Sequence, residues 1–277
     1  MTLWRCLAVG QPSTFPLHAL ARRSWIVLNP ELRLSANSSG GGSPSAKHIG
    51  IVAVSPEGSA LCYRELFRYA LHHVGDRGHP VVSMHGEPFE NYLAALAKDD
   101  WHAIGELLLK SARALKAAGA EFCICPDNVA QNGIHLIESA SPLPWLTMTE
   151  MVTNAVARDE RQVVGLIGTK MVMHGSTYQA LLGLKRIKVI VPDGPDADAL
   201  NAIIFGELVH GDVVPESRQR IIEIIEKLKD KGAEGLIMAF SEGALMLDAY
   251  NSPLPIYDPV GLLAHGALGR SLGTTAR

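Results

Sequence analysis

Two polar loops hold the side chains whose types suit proton transfer. One is Asp127-Asn128-Val129, after the apolar run Phe122 to Cys125; the other is Phe240-Ser241-Glu242, after Gly235 to Ala239. A carboxyl group can take or return a proton, and an amide or hydroxyl can donate to a carboxylate or a developing oxyanion. Asp127 follows Pro126, a setting in which aspartate also caps turns. Phe240 has no titratable proton and suits packing or covering a pocket. Ser55 and Thr169 each end an apolar run in a similar way. His174 stands in the polar stretch Met173 to Tyr178, and Arg218 is a cation for an anionic substrate.

A repeat relates the two loops. Gly119-Ala-Glu121 matches Gly232-Ala-Glu234 at an offset of 113 (232 − 119), and Leu115, Lys116 and Ile124 match Leu228, Lys229 and Ile237 at the same offset. Each copy reads as the end of an amphipathic helix, a glycine cap, a short apolar strand and a polar loop. Asp127 and Phe240 become equivalent positions. Ligands of open α/β sheets sit beyond the carboxyl ends of the strands, so the site is expected between these two ends.

Composition narrows the chemistry. The chain has 277 residues, 47% hydrophobic, with a net charge of −3. That gives no electrostatic case for nucleic acid, and no apolar run is long enough for a membrane span. Cys6, Cys62, Cys123 and Cys125 lack metal-ligand spacing, and their pattern suits a reducing compartment such as the cytoplasm. No G-x-G-x-x-G, P-loop, G-x-S-x-G or H-E-x-x-H occurs, so neither metal nor nucleotide cofactor is expected.

Residues 1–47 read as an unfolded extension ending in a Gly/Ser linker, although the Arg- and Ser-rich, acid-poor stretch 1–34 also fits an organellar transit peptide. Beyond it, strands are expected at Ile49–Val54, Pro80–Met84, around Cys123, and at Leu146–Met148, Val163–Thr169, Ile187–Val191 and Gly235–Ala239. Helices are expected over 59–74, 101–118, 197–210 and 216–230, around Tyr178, and from Asp258 onward. Thr149 or Thr153 is a candidate cap for the helix after residue 148. This alternation implies an α/β fold of two similar pseudo-symmetric lobes, each a parallel sheet flanked by helices, with the site in the cleft. The first lobe is expected to comprise 48–145 plus 258–277, and the second 146–257.

The duplicated Gly-Ala-Glu units resemble the aspartate/glutamate racemase superfamily. So do Ser55 to Tyr63, Gly168-Thr169 with Met173 to Tyr178, and Ile203 to Gly211 with Glu216-Ser-Arg218. The resemblance spans residues 49 to 268 and implies a cofactor-independent isomerase acting at the Cα of a small carboxylate such as aspartate or glutamate. A homodimer is left open. Members of that family carry a cysteine at each strand end, one on each face of Cα. Here Asp127 and Phe240 replace them, Val129 and Ser241 replace the neighbouring threonines, and Gln131 stands where many members have His. Asn128 and Glu242 are kept. The expected proton-transfer groups are therefore Asp127, His174 and Glu242; Ser55, Asn128, Val129, Thr169, Phe240, Ser241 and Arg218 are expected around the substrate. A lyase or decarboxylase, which needs a single proton donor, is the rival enzyme reading, and a non-catalytic carboxylate-binding protein is the third.

Overall fold

The computed structural model of the chain describes residues 46–74 and 79–274. Most of the N-terminal extension, up to residue 45, lies outside them. Lys47, counted above with that extension, is tied into the fold: its N–H donates to Ser271 O at 2.9 Å, and Ser271 Oγ donates back to Lys47 O at 2.6 Å.

Two four-stranded parallel sheets share one topology. The first runs in the order β2 (Val82–Gly86), β1 (Ile49–Ala53), β3 (Phe122–Ile124), β4 (Trp145–Leu146). The second runs β6 (Lys188–Ile190), β5 (Val163–Gly168), β7 (Gly235–Ala239), β8 (Ile256–Tyr257). The repeat strands keep their place in the register: Phe122 pairs with Ile49, and Gly235, 113 residues beyond Phe122, pairs with Val164. Both central strands are apolar on both faces, as a sheet covered on two sides requires.

The Gly-Ala-Glu units close the helices that precede the repeat strands. These are α3 (Trp101–Ala117) and α9 (Pro215–Asp230). Gly119 and Gly232 adopt φ of +94° and +95°, which an L side chain resists. Ala120 N donates to Leu115 O, and Ala233 N to Leu228 O, both at 3.0 Å. The glutamates then clamp the neighbouring strand. Glu121 N donates to His48 O while Glu121 Oε1 accepts from His48 N; Glu234 repeats both bonds with Val163 O and Gln162 N. The repeat is thus a strand-starting device, at the amino ends of β3 and β7, away from the loops it announces.

On the first sheet, α1 (Pro56–Val74) and α11 (Pro259–Leu272) bury Leu61, Leu66, Leu263 and Leu268 against Ile49 and Ile51. The other face is covered by α2 (Phe89–Leu96), α3 and α4 (Gln131–Ile137). Each fully buried leucine contributes about 1.5–3 kcal/mol relative to exposure. The second sheet is covered on one face by α5 (Met148–Arg158) and α7 (Thr177–Leu184), and on the other by α8 (Gly194–Gly206), α9 and the short α10 (Gly243–Met246) that follows β7. Thus α5 leaves the first sheet to pack on the second, and α11 returns from the second to the first.

Several local expectations need correction. Leu146 pairs with Ile124 in the first sheet, so the crossing begins at Thr147 rather than at residue 146. Thr147, not Thr149 or Thr153, caps α5, through a capping box with Glu150; the other two threonines lie inside the helix and are buried. The helix over 197–210 starts at Gly194, ends at Gly206, and is followed by a single 3-10 turn at Leu208–His210.

Candidate active site

A cavity of about 470 Å3 opens between the lobes at the carboxyl ends of β1, β3, β5 and β7. Ser55, Asp127, Asn128, Thr169, Ser241 and Glu242 give it polar lining, with Glu57 beside them. Val129 and Phe240 line it too.

The first loop is held in shape from within. Asp127 Oδ1 accepts from Val129 N at 3.0 Å and Ala130 N at 2.9 Å. Oδ2 has no hydrogen bond among the described residues. Asp127 is therefore both a turn cap and a cavity-lining carboxylate. Gln131, fully buried, braces the loop: its Nε2 donates to Cys125 O and Asp127 O, and its Oε1 accepts from Met148 N. Cys125 is buried beneath the loop; burial first, then the Asp127 charge, raises its thiol well above the ordinary value.

Asn128 is 6% exposed. The Tyr178 hydroxyl, reaching from α7 in the second lobe, donates to Asn128 Oδ1 at 2.6 Å. That bond fixes the amide and leaves Asn128 Nδ2 as a buried donor with no partner among the described residues. Burial raises the Tyr178 phenol, with the Asp258 charge adding, so it stays a donor. Thr177 Oγ1 donates to Asn132 Oδ1, a second link between lobes.

Hydroxyls line the same cavity. Ser55 Oγ accepts from Gly58 N at 3.2 Å, starting α1. Thr169 Oγ1 accepts from Val172 N at 3.4 Å, starting α6 (Lys170–His174). Each oxygen is used as an acceptor, so each O–H remains to donate. Three loops meet tightly at Gly58, where a Cβ would come within 2.7 Å of Ser55 Oγ, 2.8 Å of Ser241 Oγ and 3.0 Å of Pro126 O.

Two carboxyls here bind protons more tightly than usual. Burial raises Asp127, opposed by the two backbone N–H bonds. Burial raises Glu242 as well, opposed by its own backbone N–H; the charges of Asp127 and Glu57 push it further up. Both effects disfavour a second negative charge in the cavity.

Two expected residues are not brought to the cavity. His174 is exposed at the end of α6. Val172 faces the cavity, and two residues along a helix is a turn of about 200°, which sends His174 outward. Arg218 faces a different cavity, of about 600 Å3, and its Nη2 donates to Leu245 O at 3.5 Å. Ser241 borders both cavities. Phe240 is 4% exposed and packs in the core of the second lobe with Ile203, Ile204 and Leu208. No lysine, arginine or histidine among the described residues lines the 470 Å3 cavity, and no group of three or more His, Cys, Asp or Glu among them could hold a metal.

Residues 51–267 match the family model described as Asp/Glu/Hydantoin racemase. The chain belongs to that family. Among solved structures, this family member resembles a putative Asp/Glu racemase from Yersinia pestis: 28% identity, 82% of this chain and 99% of that chain covered, TM-score 0.76. It also resembles an aspartate racemase homologue from Pyrococcus horikoshii OT3, at 23% identity, 81% and 99% coverage, and TM-score 0.73. A glutamate racemase from Francisella tularensis, solved with D-glutamate, shares the fold at 15% identity, with 79% of each chain covered and a TM-score of 0.58. The two-lobed architecture is thus common to all three. Among the described residues of this family member, no helix is long and apolar enough to cross a membrane.

Tyr178, Glu57 and the apolar residues of α2 were not singled out from sequence as site residues. Glu57 was within reach, two positions beyond the strand-ending Ser55. Tyr178 sits at an apolar-periodic position, and nothing in the sequence marks its hydroxyl.

Proposed function

We propose that the protein is a racemase-type isomerase that moves a proton at the Cα of a small carboxylate substrate, with Asp127 and Glu242 as the acid/base pair. The observation that carries this is Asn128 Nδ2, a buried, unpartnered donor in a cavity that also holds two carboxyls of raised proton affinity. Such a donor suits a substrate carboxylate and the enediolate it becomes when Cα loses its proton.

In the proposed step, ionised Asp127 takes the Cα proton and the C–H electron pair moves into the carboxylate. Asn128 Nδ2 and the Ser55 and Thr169 hydroxyls meet the added charge; the Ser241 hydroxyl is already used, donating to Pro126 O at 3.5 Å. Protonated Glu242 then returns a proton to Cα, and the reverse reaction exchanges the two roles. Unperturbed carboxylates, with pKa of about 3.9–4.3, are weak bases at neutral pH; the burial around both groups makes them better ones. The reaction is carried by side chains and needs no cofactor in this reading.

The position of Phe240 favours a second reading. It occupies the repeat position equivalent to Asp127 and carries no proton, which suits a lyase or decarboxylase with one donor. Proton NMR in deuterated water separates the two. Loss of the Cα–H signal with inversion of the centre supports the isomerase; release of a fragment overturns it. Ligand-dependent rise in melting temperature without either marks a binding protein.

A further inference from the structure

We infer that the cavity takes an α-amino acid with a neutral, apolar side chain rather than an acidic one; this rests on the proton transfer proposed above and names its substrate class. The polar groups come from the loops that follow β1, β3, β5 and β7. The rest of the cavity is walled by Phe89, Tyr92, Leu93 and Leu96 of α2, Ile104 of α3, and Phe205 and Val209 of the second lobe; the Tyr92 hydroxyl is the polar atom on this wall. Leu93, Phe205 and Val209 are 48%, 53% and 46% exposed, so part of this apolar wall is open to solvent. A volume of about 470 Å3 falls in the range of small-molecule pockets.

Each part of such a substrate has a counterpart. Asn128 Nδ2 meets the α-carboxylate. Ionised Asp127 and Glu57 supply negative charge for the ammonium group, and protonated Glu242 keeps a carbonyl oxygen that can accept from it. The apolar wall meets the side chain. A side-chain carboxylate would find no counter-charge: no basic residue among the described ones lines the cavity, Arg218 is turned to the neighbouring cavity, and the buried Tyr92 hydroxyl, unpartnered among the described residues, offers a neutral donor only. A buried charge without a partner is rejected strongly, whereas an apolar group is accepted.

The test uses the full chain with the D and L forms of leucine, phenylalanine, aspartate and glutamate at equal concentration. Cα-proton exchange is followed by NMR in deuterated water, and melting temperature is followed in parallel. Leucine or phenylalanine is expected to exchange at least about tenfold faster than either acidic amino acid and to raise the melting temperature more. Faster exchange of aspartate or glutamate overturns the inference and leaves the isomerase reading standing. Stabilisation by leucine or phenylalanine without exchange upholds the pocket assignment and overturns the isomerase reading. No exchange and no stabilisation by any of the eight compounds overturns the inference. Leu93→Arg, where the apolar wall is open to solvent, places a cation in it. It is expected to swing the binding preference toward glutamate by about tenfold, and an unchanged preference also counts against the assignment.

Discussion

The Tyr178 hydroxyl of the second lobe donates a 2.6 Å hydrogen bond to Asn128 Oδ1 of the first. One bond therefore joins the lobes and fixes which end of the Asn128 amide faces the cavity. Tyr178→Phe removes the hydroxyl and keeps the ring in its buried place. Asn128 Oδ1 would lose its partner, costing about 1–3 kcal/mol of stability, and the amide would be free to rotate. Turnover is expected to fall on the order of tenfold or more through misplacement of the donor. Circular dichroism and a denaturant melt check the fold; unchanged turnover with a normal melt would show that the amide is held by something else.

Asp127→Asn keeps a side-chain oxygen for the Val129 and Ala130 N–H groups, so the turn should survive. Glu242→Gln keeps size and removes the proton. Each is expected to lower turnover by a factor on the order of 10² or more with little change in melting temperature. Wild-type turnover should rise with pH as the base ionises and fall as the acid loses its proton. Both limbs are displaced upward from the ordinary carboxylate range, because burial raises both groups. If Glu242→Gln leaves racemisation intact, the second proton donor lies elsewhere, and Glu57 is the next candidate.

The fold was largely legible, because its signals are local. Continuous apolar runs marked the buried strands, and Gly119 and Gly232 marked the helix ends that a positive φ requires. The loops beyond them located the cavity. What could not be read was direction. His174 and Arg218 lie in the right segments, yet helix phase turns one to solvent and the other to a second cavity. Helix α2 is absent from the helices expected from sequence, although its Phe89, Leu93 and Leu96 form part of the cavity wall. The Tyr178–Asn128 contact spans 50 residues, and only the packing of the two lobes creates it.

Gly232→Ala tests the repeat as a structural device. A Cβ at Gly232 would meet nothing within 4 Å, so its whole cost is the backbone at φ +95°. The expected destabilisation is about 1–2 kcal/mol, read as a lower denaturant midpoint. Turnover per folded molecule should stay at the wild-type value, because the glycine starts β7 and the site lies at its other end. A large loss of turnover with normal stability would place the repeat in the chemistry instead.

Asp258 should make stability pH-dependent outside the site. It caps α11, accepting from Val260 N at 3.0 Å. Burial raises its carboxyl to about 6, with the Glu65 charge adding, against the backbone N–H bonds and the Arg68 charge, which lower it. The folded state therefore holds this proton more tightly than the unfolded chain, whose aspartate titrates near 3.9. Below about pH 4 both states are protonated and the contribution is fully present. As pH rises from about 4 to 6, the unfolded state releases its proton first, and stability falls by at most about 1.4 kcal/mol per pH unit. Above about 6 both states are ionised and the loss is complete. Asp258→Asn keeps an acceptor for Val260 N and removes the titration, so its denaturant midpoint should change less across this window than that of the wild type. Equal slopes for the two proteins between pH 4 and 6 would mean that Asp258 is ionised throughout in the folded state.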